Sequence, residues 1–331
     1  MGTGILVSQT FVDRFGDQLA EVAADAGIEP DLVVLPTDPD GRLDTNELER
    51  IELVFFSGDI YPDYSRALFS AVQGASNLRW FHTFSAGVDH PVFQRLLHQG
   101  VRMSTSAGST AEPIAQTLIG GMLMLARNFL FWLENQRQHR WEPARASLVP
   151  DDLRGQTMVV LGLGSIGTHT ARLAQALGMH VIGVRRSPAG PDDPVDEMAV
   201  PGQLMDVLPR ADWLAITAPL TEETRGIVSQ EAIAALPAGA RILNVGRGEI
   251  IDEGALIEAL RSGQLGGAYL DVFHEEPLPA ESPLWDLPNV IISPHNSAAS
   301  TGNDGRAASI FLENVARWAH GEELRNEVKP G

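Results

Sequence analysis

Short apolar runs alternate with amphipathic stretches over the first hundred residues. Five runs have the length and the aliphatic or aromatic content of strands, at residues 4–8, 31–36, 53–58, 78–85 and 101–105. Residues 15–26 and 64–74, which lie between them, repeat apolar positions at helical spacing. This alternation of strands and helices predicts a parallel α/β sheet.

A second series of the same kind covers residues 158–295. Six apolar runs predict strands at 158–164, 180–186, 212–219, 241–246, 267–272 and 289–295. Helices are expected between them, at residues 166–177, 203–208, 230–236 and 253–262. Six strands with intervening helices predict a doubly wound fold of the dinucleotide-binding type.

An apolar stretch that starts near Ser109 joins the two series. Ser109 and Glu112 have the spacing of a capping box, so one long helix is expected from there to about residue 140. Residues 188–201 are expected to form a Pro-rich loop, and an amphipathic helix is expected at 305–320.

Composition and charge narrow the class of protein. The 331 residues include 24 basic and 43 acidic ones, a net charge of −19 that disfavours nucleic acid and anionic membranes as partners. Cysteine is absent, which excludes disulfides, thiolate metal sites and a cysteine nucleophile. The sequence shows no signal peptide, no membrane-spanning run and no metal-ligand spacing. We therefore expect a cytoplasmic, metal-free protein of about two domains.

A glycine motif follows the predicted strand at 158–161, with the residues Gly162-Leu163-Gly164-Ser165-Ile166-Gly167. In a dinucleotide fold the first glycine permits a tight turn, the second lets the backbone approach a pyrophosphate, and the third lets helix and strand pack closely. The helix N-terminus then presents free N–H groups to the phosphates. An ordinary structural turn is the alternative.

The end of the next strand is expected to select the cofactor. A carboxylate there favours NAD by binding the ribose hydroxyls, whereas an arginine accommodates the 2′-phosphate of NADP. The sequence has Arg185, Arg186 and Ser187 at this place and no carboxylate. These residues predict a preference for NADP(H), with NAD(H) as the second choice. The alternative is that both arginines are merely solvated.

Three later strand ends carry residues suited to hydride transfer. Arg247 offers a planar double donor for a carboxylate or carbonyl. His295 suits a general acid because the ordinary pKa of histidine is about 6.5. Glu276 is the expected partner that favours its imidazolium form. Reduction of a 2-keto acid needs such a set.

The segments 162–167, 208–248 and 267–295 together resemble the D-isomer-specific 2-hydroxyacid dehydrogenases. The motifs "GLGSIG", "LNVGRG", "LDVFHEEPLP" and "IISPH" occur in that family's order, and their details are most similar to the bacterial NADPH-dependent glyoxylate/hydroxypyruvate reductases. The resemblance implies two Rossmann-like domains, a homodimer and an Arg247, Glu276, His295 catalytic set. A dinucleotide-binding domain at 105–296 is expected beside a discontinuous, flavodoxin-like substrate (lid) domain at 1–104 and 297–331.

The resemblance also implies contacts outside the catalytic set. The backbone N–H groups of Ala86, Gly87 and Val88 are expected to hold the substrate carboxylate, unless this segment is an ordinary turn. Trp141 is expected either near the substrate pocket or in interface or core packing. The expected cofactor contacts are Gly162, Gly164, Ser165, Ile166, Gly167, Arg185, Arg186, Ser187, Pro219, Val245 and Asp271.

Some positions stay open at this stage. Gln116 replaces a glutamate that is usual in the family. His82 stands next to the 86–88 segment in the sequence, so contact with a ligand is one hypothesis for it. The expected substrate is a small 2-keto or 2-hydroxy acid. The alternatives are a phosphoglycerate- or phosphonate-type dehydrogenase, and a nucleotide-sensing protein like the corepressors that share this fold.

Overall fold

A computed structural model describes residues 2–88 and 90–329. The chain forms two compact units, Met1–Thr110 with Ser300–Gly331 and the continuous segment Ala111–Ala299. The sequence predicted these divisions after residues 104 and 296, which is a few residues before the divisions in the structure, after residues 110 and 299.

The first unit is a five-stranded parallel sheet in the order β2-β1-β3-β4-β5, which is the flavodoxin-like order. Its strands are β1 Thr3–Val7, β2 Pro30–Val34, β3 Leu53–Phe56, β4 Trp80–Thr83 and β5 Arg102–Thr105. Its helices are α1 Gln9–Asp25, α2 Thr45–Arg50, α3 Ser65–Gly74, α4 Pro91–His98 and a C-terminal helix, Asn303–Ala319.

Both faces of this sheet are covered by helices. Alternate side chains such as Ile5 and Phe55 pack against α1 and the C-terminal helix, while Leu6 and Val54 on the opposite face pack against α3 and α4. Helix α1 starts earlier than expected because the Ser8 side chain accepts a hydrogen bond from the Phe11 N–H and caps it.

The second unit is a seven-stranded parallel sheet. It contains β6 Thr157–Leu161, β7 His180–Val184, β8 Glu197–Ala199, β9 Trp213–Ile216, β10 Arg241–Asn244, β11 Gly267–Leu270 and β12 Val290–Ile292. The order β12-β11-β10-β9-β6-β7-β8 is the doubly wound dinucleotide order with one more strand at the end. The fold class predicted from the sequence is confirmed.

Helices cover both faces of this sheet too. They are α5 Ala111–Ala126, α6 Phe129–Arg137, α7 Ser165–Ala176, α8 Leu204–Val207, α9 Gln230–Ala235 and α10 Glu253–Ser262. Helices α5 and α7 lie over Val160 and Trp213, and α8 to α10 lie over Leu161 and Ile242. Strand β8 was not predicted, because its three residues lie inside the segment expected to be a Pro-rich loop.

The prediction of one long helix from Ser109 to about residue 140 is wrong. Helix α5 begins at Ala111, and α6 follows after a bend of 71°. The break is at Asn128, whose φ of 58° is left-handed and ends the helical hydrogen bonding. The predicted capping box is absent too, because the Glu112 carboxylate accepts a hydrogen bond from Gln116 instead.

Across the described part of the chain, no single helix is long and apolar enough to cross a membrane. Helices α5 and α6 meet the length and composition test only as a bent pair.

Candidate active site

The glycine turn lies where the strand order reverses, between β6 and β9. Gly162 has a φ of +99°, and a Cβ there would lie 2.5 Å from the Cα of Ala218. A Cβ on Gly167 would lie 2.1 Å from the Gly162 carbonyl oxygen. By contrast, a Cβ on Gly164 would have no protein atom within 4 Å, so this glycine faces open space.

The N-terminus of α7 points its amides at the same space. Over residues 2–88 and 90–329, the N–H groups of Ser165, Ile166 and Gly167 have no protein acceptor. The Thr217 hydroxyl donates to the Gly162 carbonyl at 2.5 Å and fixes the turn. Open space at Gly164 together with free helix-terminal amides fits a pyrophosphate.

A groove of about 400 Å³ continues from this turn along the strand ends. Six expected cofactor residues line it: Gly162, Gly164, Arg185, Arg186, Ser187 and Pro219. Glu223 and Thr224 line it as well, and the sequence analysis did not single them out. Val245, also an expected contact, is buried, and its N–H donates to the Ile216 carbonyl.

The two arginines expected at a 2′-phosphate differ in their contacts. Arg185 donates to both carboxylate oxygens of Asp193, at 2.8 and 2.5 Å, and to the carbonyls of Ser187 and Pro188. Arg186 is largely exposed, and its nearest carboxylate is that of Glu223 at 3.5 Å. Arg185 is therefore already engaged by the loop that follows it, whereas most of the donors of Arg186 face solvent.

Arg247, Glu276 and His295 follow three neighbouring strands, β10, β11 and β12. Carboxyl ends of parallel strands meet at one edge of the sheet, so the three residues lie at the same edge. His295 Nδ1 lies 2.7 Å from Glu276 Oε2, and Glu276 Oε1 accepts the Phe273 N–H at 3.0 Å. Arg247 is exposed, and one of its donors is bound to the neighbouring Gly246 carbonyl at 2.6 Å.

His295 has a φ of 50°, which is uncommon for a non-glycine residue. The backbone carbonyl of Asp271 holds it in place by accepting the His295 N–H at 2.8 Å. The Asp271 side chain, 1% exposed, accepts from Ser293, from the Asn296 N–H and from both the N–H and the hydroxyl of Ser297. All of these contacts are donations to the carboxylate, and they fix the segment on both sides of His295.

Asp271, an expected cofactor contact, therefore braces the histidine segment. Sequence reasoning missed its partners, although Ser293 and Ser297 flank His295 symmetrically. Tyr269 extends the chain of hydrogen bonds, with its hydroxyl 2.7 Å from the Ser293 Oγ. Burial raises the pKa of Tyr269 to about 12. Because the Ser293 hydroxyl donates its hydrogen bond to Asp271, the Tyr269 phenol is the donor in its contact with Ser293.

The positions expected near the substrate lie in both units. In the first unit, the Ser85 hydroxyl donates to the Gly87 carbonyl at 2.9 Å, and the Val88 carbonyl accepts from Gln94. Among the described residues, the amides of 86–88 have no acceptor. Trp141, in the second unit, is fully exposed, so packing within its own chain is excluded as its role.

His82 has no exposed surface and does not reach a ligand site. Its ring nitrogens contact Ser104 at 2.6 Å and Ser106 at 3.0 Å. Burial lowers its pKa to about 3, so the ring is neutral at physiological pH. The suggestion that His82 touches a ligand is therefore not supported by its position.

The fold and the strand-end residues together define an α/β oxidoreductase with a dinucleotide-binding unit. Residues 119–297 match the model of the D-isomer specific 2-hydroxyacid dehydrogenase, NAD binding domain. The chain belongs to this family, and the resemblance drawn from the motifs is confirmed.

The chain is similar to curated proteins and to solved structures of this family. The chain is 34% identical over 262 residues to glyoxylate/hydroxypyruvate reductase B of Pectobacterium carotovorum, covering 78% of this chain and 81% of that one. It is 33% identical over 259 residues to D-3-phosphoglycerate dehydrogenase of Methanocaldococcus jannaschii, covering 78% of this chain but only 48% of that longer relative. A solved structure of NADPH-dependent glyoxylate/hydroxypyruvate reductase from Sinorhizobium meliloti, in complex with NADP and sulfate, is similar with a TM-score of 0.69 and 26% identity, covering 99% of this chain and 98% of that one.

Proposed function

We propose that this protein reduces small 2-keto acids such as glyoxylate and hydroxypyruvate to D-2-hydroxy acids, with NADP(H) as the preferred cofactor. The observation that carries the proposal is the 2.7 Å contact between His295 Nδ1 and Glu276 at the strand edge that also bears Arg247. The reductase relative and the NADP-bound structural neighbour support the substrate class and the cofactor.

Each residue at the strand ends has its own role in the proposed reaction. The Glu276 carboxylate accepts a hydrogen bond from the Nδ1–H of His295, and the Nε2–H of the imidazolium gives its proton to the substrate oxygen. Arg247 orients the carboxylate and the carbonyl as a planar donor. When bound, the reduced cofactor would supply the hydride from its nicotinamide ring. The amides of 165–167 would hold the pyrophosphate of the cofactor. In the first unit, the amides of Ala86, Gly87 and Val88 remain the proposed carboxylate binders.

The test is steady-state kinetics on a panel of 2-keto acids with NADPH and with NADH. Replacement of His295 by Gln should lower kcat by about 10²–10⁴, the range of general acid catalysis, while NADPH binding is kept. Arg247→Gln should affect both kcat and KM, and His320→Gln is a surface control. Full activity in His295→Gln would remove the mechanism, and binding of NADPH without turnover of any acid would favour a nucleotide sensor.

The panel includes 3-phosphohydroxypyruvate because the phosphoglycerate dehydrogenase relative matches 78% of this chain. A clear preference for that substrate over hydroxypyruvate would replace the proposed substrate class. We further propose a homodimer, as the family resemblance implies, and a cytoplasmic location; light scattering on the purified protein tests the dimer.

A further inference from the structure

The end of β7 presents two arginines, and they differ in how many of their five N–H donors are already engaged. The Arg185 guanidinium uses both Nη atoms and Nε on Asp193, Ser187 and Pro188, and its side chain is 21% exposed. Asp193 also accepts the Gly190 N–H at 2.6 Å, so the carboxylate ties the loop to the arginine. The Gly190 N–H and Arg185 together hold the pKa of Asp193 below its usual range. This pair braces the loop at 187–193.

Arg186 lies on the groove and faces a carboxylate across it. Its side chain is 76% exposed, and that of Glu223, which belongs to the opposite wall, is 68% exposed. Their closest atoms, Arg186 Nη1 and Glu223 Oε2, are 3.5 Å apart. A phosphate that binds Arg186 from the groove would meet this carboxylate, because both anions compete for the same guanidinium.

We propose that Arg186 is the arginine that binds the 2′-phosphate of NADP(H), that Arg185 is a positioning residue for the loop beside it, and that Glu223 opposes the phosphate and sets the degree of preference for NADP(H) over NAD(H). The proposal rests on the proposed function of this groove, and it names the residues that tune its cofactor choice. It also explains why the chain carries a carboxylate on the groove wall despite the arginine pair.

The first experiment compares Glu223→Gln with Glu222→Gln in the full-length protein. Both variants remove one exposed charge, but Glu222 does not line the groove. Dissociation constants for NADPH and NADH are measured by nicotinamide fluorescence. Glu223→Gln should tighten NADPH about two- to five-fold, as expected for an exposed ion pair, and leave NADH unchanged. An equal effect of Glu222→Gln would reduce the result to long-range charge and overturn the role of Glu223.

Arg186→Gln identifies the cation. It should weaken NADPH about tenfold or more, because a charge-assisted contact to phosphate is lost, and leave NADH unchanged. In this background, Glu223→Gln should no longer tighten NADPH. If Glu223→Gln still acts without Arg186, the competition for that guanidinium is disproved.

The variant Asp193→Asn tests the role of Arg185, because the two possible roles predict opposite changes in NADPH affinity. If Arg185 braces the loop, loss of the carboxylate loosens Ser187 and Arg186 and weakens NADPH several-fold. If Arg185 itself binds phosphate, releasing it from Asp193 should tighten NADPH, which would overturn its assignment as a positioning residue.

Measurements on the wild-type protein distinguish a failure of this inference from a failure of the proposed function. A wild type that binds NADH as tightly as NADPH, and that Arg186→Gln does not change, overturns the proposed NADP(H) preference and this inference with it. A wild type that prefers NADPH but does not respond to Glu223→Gln leaves the proposed function intact and overturns only the role of Glu223.

Discussion

The hydrogen-bond partners of the buried His82 ring determine its tautomer. The Ser104 hydroxyl accepts from the Trp80 indole N–H at 2.9 Å and from the Asn314 amide at 3.4 Å. Its own proton is left for His82 Nδ1, so the Nε2–H of His82 donates to Ser106. The neutral ring is therefore part of the core of the first unit, with no acceptor for a second proton.

Stability should fall in mild acid because of this histidine. The folded pKa of His82 is about 3, below the unfolded value near 6.5, so only the unfolded chain takes up the proton between these values. The contribution of His82 is full above pH 6.5 and is lost as pH falls toward 3. Urea unfolding from pH 4.5 to 7.5 should show a flatter profile in His82→Gln than in the exposed control His98→Gln. The same slope in both variants would contradict this assignment.

The glycine turn allows stability and binding to be separated residue by residue. Gly164→Ala should keep the melting temperature, because the new Cβ has space, but should weaken NADPH binding, because that space belongs to the ligand. Gly167→Ala should lower the melting temperature, because its Cβ would overlap the Gly162 carbonyl. Thermal melts with and without NADPH measure both effects. Equal melting temperatures for the two variants would refute this division of roles.

At the scale of elements, strand β11 is connected to the histidine segment through hydrogen bonds. Tyr269 donates to Ser293, and Ser293 donates to Asp271, which holds Asn296 and Ser297. Helix α5 makes room for the tyrosine ring, because a Cβ on Gly121 would lie 2.5 Å from its Cγ. The Tyr269 ring therefore packs against α5, while its hydroxyl contacts the segment that carries His295.

Tyr269→Phe tests this connection. We expect kcat to fall several-fold and the KM for NADPH to stay unchanged, because the variant loses one buried hydrogen bond worth about 1 kcal/mol behind the histidine segment. Ser293→Ala should act in the same direction, and Tyr61→Phe in the other unit is a control. A fall in stability with unchanged kcat would make Tyr269 a core residue only.

Elements were predictable from the sequence where burial alone decides them. Runs such as Val159–Leu161 and Leu53–Phe56 are apolar along their whole length because both faces of a parallel sheet are covered. The break at Asn128 was not predictable, since an apolar pattern continues through it and only the backbone conformation ends the helix. Likewise, Asp193 lies eight positions after Arg185, and no local spacing shows that they pair.

At the scale of the whole molecule, the described hydrophobic clusters each lie within one unit. The two clusters of the second unit run from Ile114 to Ala298 and include residues from both faces of its sheet. Those of the first unit combine the N-terminal strands with the C-terminal helix. Arg102 and Glu327 strengthen this unit through a partly buried ion pair at 2.7 Å.

A fragment of residues 111–299 is therefore expected to fold alone. It should melt cooperatively and bind NADPH within about tenfold of the full chain, because the glycine turn, the groove and their core are all inside it. It should not turn over keto acids, since the amides of 86–88, the proposed carboxylate binders, are missing. Circular dichroism and nicotinamide fluorescence check this expectation, and an unfolded fragment would show that the second unit depends on the first.

The continuity of Ala111–Ala299 within a chain that begins and ends in the other unit has a practical meaning for protein engineering. One stretch of gene encodes everything proposed to choose between NADPH and NADH, and it enters and leaves the rest of the chain at only two junctions. Relatives with different cofactor choices are thus natural donors for a cassette exchange at residues 111 and 299, in which the groove is replaced while the 86–88 segment stays as it is.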